Sequence, residues 1–151
     1  MSKDKKTIVV SSAVQMRALG KSLGKKIYPG LVICLVGDLG AGKTTFVQGL
    51  AKGLGIKKQV TSPTFQILRV YSGRLALFHF DLYRLKTALE WEDLGYHEYF
   101  YGSGVTVMEW AEKVKFSWPE ERLEIQFQYL AENTRQLTFL AAGLAAKELL
   151  K

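Results

Sequence analysis

A single cysteine, Cys34, is all that 151 residues contain, so no disulfide framework can form within the chain. Lying inside an apolar run, it reads as a small core residue rather than a nucleophile and suits a reducing compartment. No apolar stretch approaches the ~18 residues that a membrane span needs. Internal repeats, low-complexity segments and a clear linker are also lacking. The charged start, MSKDKK, leads into no signal-peptide apolar region. The expectation is a soluble, cytoplasmic protein folded as one domain over residues 1–151. Acid is the other scarcity: 14 Asp and Glu stand against 21 Lys and Arg, a formal net charge of +7. That balance favours an anionic partner (nucleotide, nucleic acid or acidic protein surface), although many domains this basic bind no nucleic acid.

What is present is patterned. TIVV reads as a short strand or an extended lead-in. Val14, Leu19, Leu23 and Ile27 recur at helical spacing, with Ser11 or Ser12 as N-cap. LVICLV (31–36) predicts a strand buried on both faces, and TTFVQGLAKGLG a helix ending near Gly53 or Gly55. FQILRVY and LALFHF pair as a hairpin through SGR, and TALEWEDLGYHEYF is mainly helical. VTVM forms another apolar strand, ending at Glu109. LEIQFQYL and RQLTFLA alternate apolar with polar residues, which predicts an antiparallel hairpin before a short closing helix in LAAKELLK.

Between LVICLV and its helix lies GDLGAGKTTF. Gly37 to Thr44 fits G-x-x-x-x-G-K-[ST] in the strand–loop–helix setting which that motif requires. Gly37, Gly40 and Gly42 let the backbone curl so that successive N–H groups converge on phosphate oxygens, and the helix start near Lys43 adds its positive dipole end. Lys43 reaches the β- and γ-phosphates, the Thr44 hydroxyl ligates Mg²⁺, and Thr45 lies beside the phosphates. A flexible glycine turn would give no reason for Lys-Thr at these positions. The predicted fold is therefore α/β: a P-loop NTPase-like three-layer domain with a mixed, mainly parallel central sheet and a C-terminal antiparallel hairpin.

Hydrolysis also needs a metal anchor and a group that positions water. Two acids end apolar strands, Glu109 after VTVM and Asp81 after LALFHF, and both are expected at the phosphate-binding edge of the sheet. The alternative reading of either is an ordinary strand-end acid or, for Asp81, a helix N-cap. The Asn-Lys-x-Asp guanine reader is missing, which favours ATP over GTP. Trp110 either stacks near the nucleotide or packs in the core. His79 reads as a structural histidine, His97 as surface, and Glu90, Glu92 and Asp93 as a solvated helix face. Thr61-Ser62-Pro63-Thr64 follows the phosphate-loop helix; Pro63 holds Ser62 extended. The segment is either a γ-phosphate-sensing loop or a polar turn.

The ordered set GDLGAGKTTF, TSPTF, HFDLYRL and MEWAEK, spanning residues 30 to 113, resembles the TsaE family. The resemblance implies a bacterial ATPase of the tRNA N6-threonylcarbamoyladenosine pathway, which modifies the adenosine next to the anticodon. Such a protein binds ATP and Mg²⁺, docks on the partner proteins TsaB and TsaD, and hydrolyses ATP weakly when alone. The tRNA is then reached indirectly, through the complex. By matched position, Leu39, Gly40, Ala41, Gly42, Lys43 and Thr44 hold the phosphates, and Thr44 with Glu109 holds the metal. Asp81 is needed for hydrolysis, orienting either water or the switch-like loop of Thr61, Ser62 and Thr64. Ser12 and Ala13 border the adenine. The family's Gly-Arg near the C-terminus is replaced by Asn133-Thr134-Arg135, with Arg135 the matching cation. Its Glu-Trp-Pro is Glu109-Trp110-Ala111 here. Two alternatives stay open: a small-molecule kinase, for which no arginine-rich lid is evident, and an ATP-dependent binding module with little catalysis.

Overall fold

In the computed structural model, which describes residues 4–38, 40–61 and 66–151, the apolar run after Gly30 forms β2 (Val32–Gly37). Val32 to Leu35 are wholly buried, and the strand's two-residue alternation divides them between two cores. Ile33 and Leu35 join Phe46 and Leu50 on one side of the sheet. Val32 and Cys34 join Phe80 and Trp91 on the other. Burial pushes the Cys34 thiol up from its ordinary pKa, which keeps it an inert core residue.

The other strands are β1 (Lys5–Val10), β3 (Leu68–Tyr71), β4 (Leu77–Asp81), β5 (Val105–Glu109), β6 (Arg122–Ala131) and β7 (Thr134–Ala142). They form one seven-stranded sheet in the order β1-β7-β6-β2-β5-β4-β3. The central four, β6, β2, β5 and β4, run parallel. Both margins are antiparallel: β3 on β4, and β7 between β6 and β1. The expected C-terminal hairpin is present, and its first strand lies deeper than its half-exposed pattern implied, paired directly with β2.

Helices cover both faces. On the first lie α1 (Ala13–Lys26) and α2 (Lys43–Gly53). Ser12 caps α1, its hydroxyl accepting from the Gln15 N–H at 3.1 Å. A Cβ added at Gly49 would meet the Arg17 carbonyl oxygen at 2.1 Å, and one at Gly20 the Phe46 oxygen at 2.3 Å. The two helices thus touch backbone to backbone, a contact open only to glycine. Arg74, in the β3–β4 turn, donates to the Gly24 and Ile27 carbonyls at 2.8 and 3.1 Å and so satisfies the end of α1.

The second face carries α3 (Ala88–Asp93), α4 (Tyr96–Phe100) and a 3-10 stretch, Ala111–Ser117. The segment 87–100, expected as mainly helical, is two short helices, because Gly95 enters the left-handed region (φ +69°) and turns the chain. Trp91 fills the space beneath, stacked on Tyr96 with ring centroids 4.7 Å apart. A short helix, α5 (Leu144–Glu148), follows β7. No helix among the described residues is long and apolar enough to cross a membrane.

Candidate functional site

Parallel strands bring their C-terminal ends to one edge of the sheet, and β2, β4 and β5 deliver three segments there. From β2 comes the glycine loop. Gly42 sits at φ +99°, a conformation that side chains disfavour, and a Cβ there would also strike the Met16 methyl at 2.7 Å. Gly42 is the N-cap of α2, so the first turn of that helix presents unsatisfied N–H groups at this edge. β4 and β5 end on Asp81 and Glu109, which face each other in register. Both strand-end acids therefore lie at this edge, as expected.

Lys43 is only 5% exposed. Its ammonium donates to the Gly37 carbonyl at 2.5 Å and sits 3.5 Å from the centre of the Trp110 ring. Burial lowers its pKa from the ordinary value, opposed by the carboxylates of Glu112, Glu109, Asp81 and Asp38. Trp110 thus lies against Lys43 as well as against the second core. It is the single non-glycine residue among those described with positive φ, +62°, and a bulky side chain held there signals a constrained position.

Glu109, 3% exposed, is engaged at both oxygens. The Thr44 hydroxyl donates to Oε1 at 3.0 Å, and His79 Nε2 meets Oε2 at 2.5 Å. His79 is fully buried, and its Nδ1 has no hydrogen-bond partner among the described residues. It is buried, as a structural histidine would be, but its link to Glu109 was not foreseen. The available signal was strand alternation, which puts His79 on the same face as Asp81, two residues on. Asp81 Oδ1 accepts from the Tyr83 N–H at 3.1 Å, fixing the chain as it leaves β4.

Among the described residues no group of three or more His, Cys, Asp or Glu could hold an ion. The protein offers one hydroxyl and one carboxylate, already 3.0 Å apart. This sparse, hard-oxygen set fits Mg²⁺, which keeps several waters and takes further oxygens from phosphates.

Beside the loop lies a cavity of about 160 Å³ lined by Ser12, Ala13, Met16, Gly40, Gly42, Thr45, Glu132, Asn133 and Arg135. It gathers residues from α1, the glycine loop, α2 and the β6–β7 turn. Arg135 lies 4.3 Å from the Tyr129 ring and donates to the Gly40 carbonyl at 3.3 Å. Ser12, Ala13, Thr45 and Arg135 are thus brought together, while Met16, Glu132 and Asn133 are additions. Ala41 is buried, its N–H bonded to the Asp38 carbonyl at 3.2 Å. Thr61 is exposed, next to a loop tied down where Gln48 donates to the Val60 carbonyl at 3.1 Å. Leu39, Ser62, Pro63 and Thr64 lie outside the described residues.

The parallel core, with the glycine loop at the end of β2, defines an α/β protein of the P-loop NTPase-like class. The family model described as "Threonylcarbamoyl adenosine biosynthesis protein TsaE" matches residues 10–137. The chain is 45% identical over 130 residues to the tRNA threonylcarbamoyladenosine biosynthesis protein TsaE of Treponema pallidum (86% of this chain, 96% of that one). It is 46% identical over 130 residues to the protein of the same name from Bacillus subtilis (85% and 81%). The crystal structure of Bacillus subtilis YdiB superposes with a TM-score of 0.81 at 36% identity, covering 96% of this chain and 90% of that one. The chain belongs to the TsaE family of threonylcarbamoyl adenosine biosynthesis proteins.

Proposed function

We propose that the protein binds ATP with Mg²⁺ and hydrolyses it in support of tRNA N6-threonylcarbamoyladenosine formation, working with TsaB and TsaD. The observation that carries this reading is the buried Lys43 ammonium beside the linked Thr44–Glu109 pair at the mouth of β2. In this reading the loop from Leu39 to Thr44 takes the phosphates, and Lys43 leaves the Gly37 carbonyl to neutralise them. Thr44 and Glu109 would hold the metal, which supplies charge neutralisation at phosphate oxygens when bound. Asp81 orients either water or the switch-like loop of Thr61, Ser62 and Thr64, which senses the terminal phosphate. Ser12, Ala13, Thr45 and Arg135 receive the rest of the nucleotide, and Trp110 covers the lysine.

Both oxygens of Glu109 are already occupied, and an acid so committed is a metal holder rather than a free base. Slow turnover of the isolated protein is what the resemblance to the TsaE family implies. Phosphate release should be low for the protein alone and rise at least tenfold with TsaB and TsaD. Glu109→Ala or Asp81→Ala should cut that stimulated rate far more than ATP affinity. Unchanged stimulated turnover in both variants would remove their assigned roles. Binding without phosphate release, even with both partners present, would leave an ATP-dependent binding module.

A further inference from the structure

A second groove lies on the α1–α2 face, sharing no lining residue with the cavity beside the glycine loop. It encloses about 390 Å³. Arg17 on α1, Lys52 in the last turn of α2, and Lys57 and Lys58 in the following loop converge on it, with Gln48 and Gln59 between them. Among the described residues no carboxylate lines it. The loop is not a loose tether: Ile56 and Val60, on either side of the two lysines, are buried. The Ile56 N–H bonds the Ala51 carbonyl, and Gln48 holds the Val60 carbonyl. The cations are therefore presented from fixed backbone.

The groove belongs to a larger division of charge. From residue 5 to residue 80 Asp38 is the only acid among twelve lysines and arginines. The opposite layer mixes Glu90, Glu92, Asp93, Glu98 and Glu112 with Lys113 and Lys115, whereas α1, α2 and the loop to Val60 carry Arg17, Lys21, Lys25, Lys26, Lys43, Lys52, Lys57 and Lys58 and no acid. A soluble protein could spread +7 evenly; this one concentrates cations on one helical layer. Four convergent cations with amide donors between them match phosphodiester oxygens, which accept from both kinds of group. The apolar floor of Ala51, Ile56 and Val60 leaves the cations little competing solvation from below.

We propose that this groove binds an RNA sugar–phosphate backbone directly, independently of the nucleotide site. The protein would then touch RNA itself rather than reach it only through partner proteins. Among the described residues the lining holds no aromatic for base stacking, so recognition is electrostatic and largely indifferent to sequence.

The test uses the full chain and a fluorescently labelled, unmodified tRNA transcript, titrated at several salt concentrations. Wild type should bind with log affinity falling against log salt with a slope of about −2 to −4, as three or four phosphate contacts require. Lys57→Ala/Lys58→Ala should weaken binding about tenfold or more and make the slope shallower. Lys147→Ala/Lys151→Ala removes equal charge from the C-terminal end and should change little. Thermal melts establish that each variant is folded. Absence of binding at low salt, or equal losses from both double variants, would overturn the proposal. So would binding of poly-glutamate as tight as that of tRNA, which would mark the groove as a dock for an acidic protein.

A separate observation carries a second inference, which rests on the Mg²⁺ reading above. We infer that His79 is a positioning residue: its Nε2–H, held in a dry core, aims the Glu109 carboxylate so that Oε1 stays with Thr44. In His79→Gln the amide nitrogen can take the place of Nε2, whereas in His79→Asn it takes that of Nδ1 and falls short. Mn²⁺ affinity in the presence of ADP, read by electron paramagnetic resonance, should fall about 10- to 100-fold in His79→Asn. It should stay within about threefold in His79→Gln, with ADP affinity in EDTA unchanged in both. Wild-type affinity in His79→Asn would refute the role. Equal losses in both variants, with ADP affinity in EDTA also lost, would reduce His79 to packing. If wild type itself bound no Mn²⁺ with ADP, the metal reading would fall instead.

Discussion

Lys43 is held by a carbonyl and an aromatic face, and both contacts compensate only part of the cost of removing an ammonium from water. Its pKa is lowered in the fold, so the protonated form destabilises the folded state below that pKa, and the penalty fades as pH rises through it. Lys43→Met should therefore abolish ATP binding in calorimetry while leaving unfolding free energy in urea equal to wild type or up to about 1 kcal/mol higher. The wild type should narrow that gap toward alkaline pH. Trp110 gives an optical counterpart. Phosphates would draw the ammonium away from the ring, so tryptophan emission should change on adding ADP, and Trp110→Phe should abolish the change although Trp91 and Trp118 remain. A persisting signal in that variant would separate Trp110 from the site. The placement of Lys43 and Thr44 at the start of α2, after the glycine loop, was legible because the motif's spacing comes with a strand–loop–helix setting. The left-handed backbone of Trp110 was not, since nothing in its neighbours' identities announces it.

The glycine seam sets the geometry of α1 and α2, and no rotamer change can accommodate a Cβ that lies against backbone. Gly49→Ala should cost about 2–3 kcal/mol and lower the melting temperature by roughly 6 °C. A loss under about 0.5 kcal/mol would show that the helices can part cheaply. Most elements could be read from their own residues: the Ser12 cap, the doubly buried β2, the β3–β4 hairpin and the strands ending on Asp81 and Glu109. The position of β6 could not. Alternation in LEIQFQYL reports one face in contact with water, but edge and centre positions share that pattern when the exposed stretch lies beyond the neighbouring strand. Tyr129 and Leu130 are exposed there, while Leu123 and Ile125 are buried against β2. The link of His79 to Glu109 was equally hidden, because it joins residues thirty apart through strand pairing.

At the scale of the molecule, the proposed nucleotide binding would be linked to folding, since a ligand taken only by the folded state stabilises it. ATP with Mg²⁺ at about 100 times its Kd should stabilise the protein by roughly 2.7 kcal/mol, raising the melting temperature by about 5–10 °C. Lys43→Met should show no rise. The seam between α1 and α2 has one more consequence. α1 begins at Ser12 and Ala13, α2 begins at the phosphate loop, and the two are clamped along their lengths. In the proposed reading, the base end and the phosphate end of the pocket would therefore move as a single jaw of fixed gauge. A ligand is measured against that gauge by its length, so AMP, which cannot span it, should compete far less well than ADP.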